Sequence, residues 1–281
     1  MLREISAQLI EDTVCDLFID ANLHLPKCVL NAISNAKKSE KNDVALSVLD
    51  TMLENVAAAD ELNVPICQDT GMAVVFLKIG QDVHIVGGDL TEAVNNGVKK
   101  AYVNGLLRKS VVSDPIERIN TNDNTPAIIH TEIVSGDKIE IMAAPKGFGS
   151  ENMSGIKMLT PAESKNGVIS AVLDIVKNAG SNPCPPMVVG VGIGGDFEQC
   201  ALLSKKALCR PLDTPSQNPF YAEMEQELLT KINALDIGPQ GFGGNTTALG
   251  VNIEVAPTHI AGLPVAVNIG CHVTRHKTAV I

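Results

Sequence analysis

"PICQDTGMAVVFLKIG", residues 65–80, is where the chain changes its hydrophobic period. Upstream, residues 4–60 carry apolar side chains at three- and four-residue spacing, which predicts amphipathic helices. The longest run, "EKNDVALSVLDTMLENVAAADEL", has Asn42 or Asp43 as its N-cap. From Met72 the pattern becomes extended, first in "MAVVFLKIG" and then in "DVHIVGG". A chain that opens in helices and turns to strands at this point is α+β: a helical N-terminal layer over residues 1–60, then mixed strands and helices over 61–281, in one compact unit.

Further along, "LTEAVNNGVKKAYVNGLL" reads as a helix opened by Thr91 with Asp89 just before it. "PAIIHTEIVSGDKIEIMAAP" reads as a β-hairpin across Ser135-Gly136-Asp137-Lys138. "PAESKNGVISAVLDIVKNAG" has Pro161 at its start and Gly180 past its end, the asymmetry of a helix. The strand "MVVGVGIGG", helices in "FEQCALLSKKAL" and "YAEMEQELLTKINAL", and the strands "TTALGVNIEVAP" and "LPVAVNIGCHV" complete the chain. No repeat or low-complexity linker is visible.

The 281 residues suffice for a large core, and 45% hydrophobic with 19% charged residues is ordinary for a globular protein. A net charge of −10 argues against nucleic-acid binding, which depends on neutralising phosphates. Any anionic substrate must then be held by local cations and backbone N–H groups. The N-terminus lacks the apolar stretch of a signal peptide, and no run is long enough to span a membrane. We therefore expect a cytoplasmic protein with reduced thiols.

The seven cysteines divide by context. Cys15, Cys28, Cys200 and Cys209 fill apolar helical positions, where cysteine acts as a small hydrophobe. Cys67, Cys184 and Cys271 stand beside turn residues, in "PICQDTG", "NPCPP" and "NIGCHV". Three loop cysteines could bind zinc with a fourth group, supply a nucleophile, or hold an iron–sulfur cluster. Paired close ligands of the zinc type are missing. "GVGIGG", residues 190–195, fits a dinucleotide-binding fingerprint. The acid expected about 20 residues on should end a second strand; Asp213 lies instead in the loop-like "CRPLDTPSQNP". A strand end that offers N–H groups to an anion is the expected use of these glycines.

Three polar, turn-rich stretches are suited to gripping carboxylates: "LRKSVVSDPIERINTNDNTPA", "APKGFGSENMS" and "GPQGFGGNTTALG". His259, in "APTHIAGLP", lies twelve residues before Cys271 and is either a structural residue or an acid/base group.

Together "PICQDTG", "DPIERINTNDNTPA", "PKGFGSENMS", "NPCPPMVVGVGIGG", "GFGGNTTALGVNIEVAPTHIAGLPVAV" and "GCHVTRHK" resemble the alpha subunit of iron–sulfur (class I) fumarate hydratases, and the related L-tartrate dehydratase alpha subunit. The resemblance implies a hydro-lyase with a [4Fe–4S] cluster on Cys67, Cys184 and Cys271. Asp69 would be the active-site carboxylate with Gln68 beside it. Arg108 would grip a substrate carboxylate, and His259 would meet the hydroxyl that leaves as water. Gly147 and Gly149 would offer backbone contacts from the "KGFGSEN" loop, where many members have glycine in place of Phe148. In single-chain members a second domain follows; here the sequence stops ten residues after Cys271, which leads us to expect a separate beta subunit and a hetero-oligomer. The expected reaction is hydration of fumarate to (S)-malate, with L-tartrate dehydration as the alternative and a non-catalytic cluster-binding subunit as the more distant one.

Overall fold

A computed structural model describes residues 2–281. The elements run β1 (Arg3–Ser6), α1 (Ala7–Leu23), α2 (Lys27–Ser39), α3 (Asp43–Leu62), β2 (Met72–Gly80), β3 (Val83–Val86) and α4 (Leu90–Asn104). Then follow β4 (Ile128–Val134), β5 (Ile139–Lys146), the single turn α5 (Phe148–Glu151), β6 (Gly155–Leu159) and α6 (Ser164–Ala179). The chain ends with β7 (Met187–Gly195), α7 (Phe197–Ala207), α8 (Pro219–Asn233), β8 (Ala248–Thr258), β9 (Leu263–Gly270) and β10 (Lys277–Val280). The fold is α+β, as the change of period at residue 65 implies.

Local signals account for the helix starts. Asn42 Oδ1 accepts from the Val44 and Ala45 amides at 2.9 and 3.1 Å, so Asn42 is the cap of α3. Asp89 caps α4 through the Glu92 amide at 2.9 Å. Gly180 closes α6 at φ +54°.

The residues form two compact units. The first holds the residues up to Leu25, Ala58–Phe148 and Arg275–Ile281. Its main sheet has the order β10-β5-β2-β4. The expected hairpin over residues 128–146 does not form: both strands exist, but β2 lies between them, parallel to β4 and antiparallel to β5. Burial explains the exchange. β2 is apolar on both faces and takes an interior place, whereas β4 is mostly exposed and suits an edge. Val75, Leu77, Ile139 and Ile141 pack with Ile10 and Phe18 of α1 and Val98 and Tyr102 of α4.

The second unit holds Pro26–Ala57 and Gly149–Thr274, with a sheet ordered β6-β9-β7-β8. β7 alternates two kinds of residue. Val189, Val191 and Ile193 join α6 and α8 in the core. On the other face, a Cβ at Gly190 or Gly192 would collide with the carbonyl oxygen of Ser204 or Cys200 on α7. These glycines let α7 approach the sheet closely. That corrects the expected anion-binding use of "GVGIGG": close packing of helix on strand explains the motif.

Although the sequence shows no repeat, the two sheets are threaded alike. In each, a central strand (β2, β7) leads through helix to a parallel neighbour (β4, β8), and the chain returns antiparallel on the other side (β5, β9). Met72 pairs with Lys146 and Val188 with Gly270, so the entry to each central strand lies beside the exit of its antiparallel neighbour. β4 and β8 begin at the same end, after the similar "DNTPA" and "GNTTA". One end of each sheet thus collects three loops.

Candidate active site

In the first unit this end carries Cys67, Gln68 and Asp69. Cys67 and Asp69 are half-buried, and Gln68 is exposed. Gly71 turns the chain at φ +79°, where an added Cβ would lie 2.6 Å from the Lys146 amide nitrogen. Tyr102, fully buried on α4, donates its hydroxyl to the carbonyls of Thr70 at 2.8 Å and Gly71 at 2.9 Å. Burial pushes its phenol well above the usual range, so it remains a donor. Asn124 Nδ2 adds a bond to Gly71 O at 3.2 Å, while its Oδ1 accepts from Ser110 N at 2.7 Å.

Arg275, buried, donates Nη2 to the Asp69 carbonyl at 2.6 Å and Nε to Asn22 Oδ1 at 3.1 Å. The Asn22 carbonyl in turn accepts from Ile66 N at 3.0 Å. Thr70 Oγ1 accepts the Arg108 amide at 2.9 Å, so the loop that holds Asp69 also sets the backbone of Arg108, whose side chain is exposed.

The Asp69 carboxylate is itself bonded on both oxygens. Gly71 N donates to Oδ1 at 3.0 Å, and Phe148 N donates to Oδ2 at 3.0 Å. Gly147 stands against the same group, its Cβ position 3.1 Å from Oδ2. Asp69 and Gly147 are therefore brought together through the amide of Phe148. Gly149 begins the second unit.

In the second unit the corresponding end carries Cys184 before β7 and Cys271 after β9. Cys184 is exposed at φ +55°, and Cys271 is half-buried. The two segments meet: His272 Nδ1 lies 3.0 Å from the Cys184 carbonyl oxygen. Thr274 Oγ1 donates to Cys271 O at 2.8 Å. The glycine-rich stretch before β8 is tied to the buried Glu40 and the partly buried Asn233. Glu40 accepts from Asn245 N at 2.8 Å, and Asn233 accepts from the Thr247 and Ala248 amides, each at 2.8 Å.

His259 is placed differently. It sits past the far end of β8, in an exposed turn where its Nδ1 accepts from Ala261 N at 3.2 Å. Cys271 follows the opposite end of β9, so about 25 Å of strand, at roughly 3.3 Å for each of eight residues, separates the two within one chain.

The donor chemistry fits a thiolate-bound group. Cys184 is exposed and Cys67 and Cys271 are partly accessible, as is Cys28, while Cys15 and Cys200 are buried and burial pushes their thiols up. Among the described residues no set of three or more His, Cys, Asp or Glu side chains is arranged to hold a metal ion. Tyr102, Arg275 and Asn22 escape the sequence reading. Tyr102 and Asn22 lie inside helical runs, and nothing local separates them from ordinary core or surface residues.

The chain is an α+β protein that carries thiols, an arginine and a carboxylate on loops at strand ends. More narrowly, it belongs to the fumarate hydratase (Fumerase) family of hydro-lyases, whose model matches residues 11–280. It is 43% identical over 272 residues to a Methanocaldococcus jannaschii protein described as "Putative L(+)-tartrate dehydratase subunit alpha", covering 95% of each chain. It is 34% identical over 261 residues to the L(+)-tartrate dehydratase subunit alpha of Escherichia coli (strain K12), covering 92% of this chain and 86% of that one. The subunit of the same description from Shigella sonnei matches to the same extent. Among the described residues no helix is long and apolar enough to cross a membrane.

Proposed function

We propose that this chain is the alpha-type subunit of an iron–sulfur hydro-lyase for a four-carbon hydroxy-dicarboxylate, with L(+)-tartrate its substrate. The observation that carries this reading is full-length similarity to chains named as L(+)-tartrate dehydratase alpha subunits. The expectation from the motifs placed fumarate first and tartrate second; the relatives' names favour the reverse. Hydration of fumarate is kept as the second reading because the matching family is described by that reaction.

Dehydrating tartrate removes hydroxide from one carbinol carbon and a proton from the next. The product is an enol, which becomes a 2-oxo dicarboxylate by moving its hydroxyl proton to carbon. Hydroxide is a poor leaving group and the carbon acid is weak, so the site must assist both. Cys67, Cys184 and Cys271 would hold a [4Fe–4S] cluster, which supplies a Lewis acid where one iron lacks a protein ligand. Arg108 would pair with a substrate carboxylate by charge-assisted hydrogen bonds, with Gln68 beside it. The amides near Gly147 and Gly149 would meet anionic oxygen, and Asp69 would keep that loop in place. His259 would deliver or receive the hydroxyl proton, and its separation from Cys271 along β9 supports its coming from a second copy of the chain. A beta subunit would provide the remaining groups, including the base at carbon, within a cytoplasmic hetero-oligomer.

The test is activity of the two-subunit enzyme, reconstituted without oxygen. Consumption of L(+)-tartrate with at least tenfold higher kcat/KM than (S)-malate is expected. The reverse preference would install the second reading, and no turnover of either acid would reject both.

A further inference from the structure

Two residues outside every role described so far hold the Cys184 loop from behind. The carbonyl of Cys184 faces His272, with the His272 amide at 3.4 Å and Nδ1 at 3.0 Å. The carbonyl of Pro185 accepts twice from Gln240, from its amide at 2.8 Å and its Nε2 at 3.0 Å. Consecutive carbonyls are therefore each approached by the main chain and the side chain of a single residue. The loop needs outside donors, because Pro185 and Pro186 have no N–H to anchor it.

The contacts also decide the imidazole tautomer. A carbonyl can only accept, so the 3.0 Å contact requires the proton on Nδ1. Gln240 Nε2, also a donor, lies 3.5 Å from Nδ1 and directs an N–H to the Pro185 carbonyl at 3.0 Å. Because His272 follows Cys271 directly, its bond ties the backbone of one thiol-bearing segment to that of the other.

We infer that His272 and Gln240 are positioning residues that fix the spacing of the Cys184 and Cys271 thiolates for the group they bind. This rests on the reading of both cysteines as ligands. Groups that orient metal ligands typically contribute 10- to 100-fold to affinity, and a two-carbonyl brace is an arrangement of that kind.

The test uses the full chain. In His272→Ala the Nδ1 donor is lost; in His272→Asn the amide nitrogen takes its place. Amide exchange across residues 181–187 of the metal-free chain reads the loop itself. Iron release to a chelator after oxygen-free reconstitution reads its effect on the bound group. His272→Ala should exchange and release iron about tenfold faster, and His272→Asn should return most of the difference. If His272→Ala does not fold, Gln240→Ala, which keeps the backbone donor, should give a smaller change in the same direction. Wild-type rates in the alanine variants overturn the proposal. Cys184→Ser is the control for the underlying reading: if it keeps the iron, the ligand assignment fails, while the exchange data still decide whether the brace exists.

Discussion

Replacing Asp69 with asparagine separates two roles that a carboxylate at this position can play. As a proton carrier alone, Asp69 would be lost to activity and nothing else. Its contacts indicate more: both oxygens accept backbone N–H groups at 3.0 Å, one from Gly71 in its own loop and one from Phe148 at the exit of β5. Hydrogen bonds to a charged group contribute about 1.5–3 kcal/mol each, and half-burial places these near the lower figure. Asparagine has a single acceptor oxygen. One N–H keeps a neutral partner and the other is left facing an NH2 group. One charged bond of about 1.5 kcal/mol is lost and the other weakens by roughly half that, for a total near 2 kcal/mol.

The loss should concentrate on the glycine loop, because Gly71 is also held by Tyr102 and Asn124 through its carbonyl. At about 1.4 kcal/mol per factor of ten, 2 kcal/mol is roughly a 30-fold loss of protection at the Phe148 amide. Hydrogen exchange on peptides covering 146–150 reads it directly, and urea unfolding reads the stability. Gly147→Ala should act in the same direction, since its Cβ position is 3.1 Å from Oδ2. An Asp69→Asn variant that loses turnover but keeps wild-type exchange and midpoint would refute the anchoring role.

Gly192→Ala would drive a Cβ into the Cys200 carbonyl and should cost about 1–3 kcal/mol in thermal unfolding, because a backbone atom cannot rotate away; a neutral substitution would return "GVGIGG" to a ligand-binding role. His276 is buried with an unpartnered Nδ1, and burial first, then Lys277, lowers its pKa from 6.5. The unfolded chain therefore takes up a proton that the folded chain refuses, so stability is full above pH 6.5 and falls as pH drops towards the folded value. Between pH 7.5 and 5.5 the wild type should lose stability that His276→Gln does not; equal losses would disprove it. Serine at the buried Cys15 or Cys200 should leave iron uptake intact, whereas serine at Cys67, Cys184 or Cys271 should abolish it; uniform behaviour would break the sorting. Mixing inactive His259→Ala with inactive Cys184→Ser chains should restore part of the activity if the histidine acts from another copy, and no recovery would refute its supply by a second copy.

Much of the fold could be read from the chain because its signals are local. Asn42, Asp89 and Gly180 mark helix ends by hydrogen bonds and φ angles that span a few residues. The strands over 128–146 were equally legible, yet their pairing was not. Whether two sequential strands touch depends on a third that competes for the interior, and β2 wins because both its faces are apolar. The same limit hid the likeness of the two sheets, which resides in strand order and leaves only the faint echo of "DNTPA" in "GNTTA". Tyr102 and Arg275 were invisible for a related reason: a hydroxyl on α4 and a guanidinium near the C-terminus act on a loop whose position relative to them only the folded unit defines.

The shared threading also gives a physical reason for where the chemistry-bearing residues fall. A strand's end leaves backbone groups that the ladder no longer pairs, and a loop built there can turn them towards a ligand while the strand stays rigid. With the central strand entering beside the exit of its antiparallel neighbour, two such loops are adjacent and can brace one another. That is what the bonds do: Asp69 grips the Phe148 amide in one unit, and His272 grips the Cys184 carbonyl in the other. In the first the side chain is an acceptor on the entering loop; in the second it is a donor on the leaving one. The two units thus solve one problem, holding reactive groups still on short irregular backbone, with hydrogen bonds of opposite polarity. Substituting either residue should loosen its own pair of loops and leave the other unit's amide exchange unchanged; loosening of both by a single substitution would mean that the braces do not act locally.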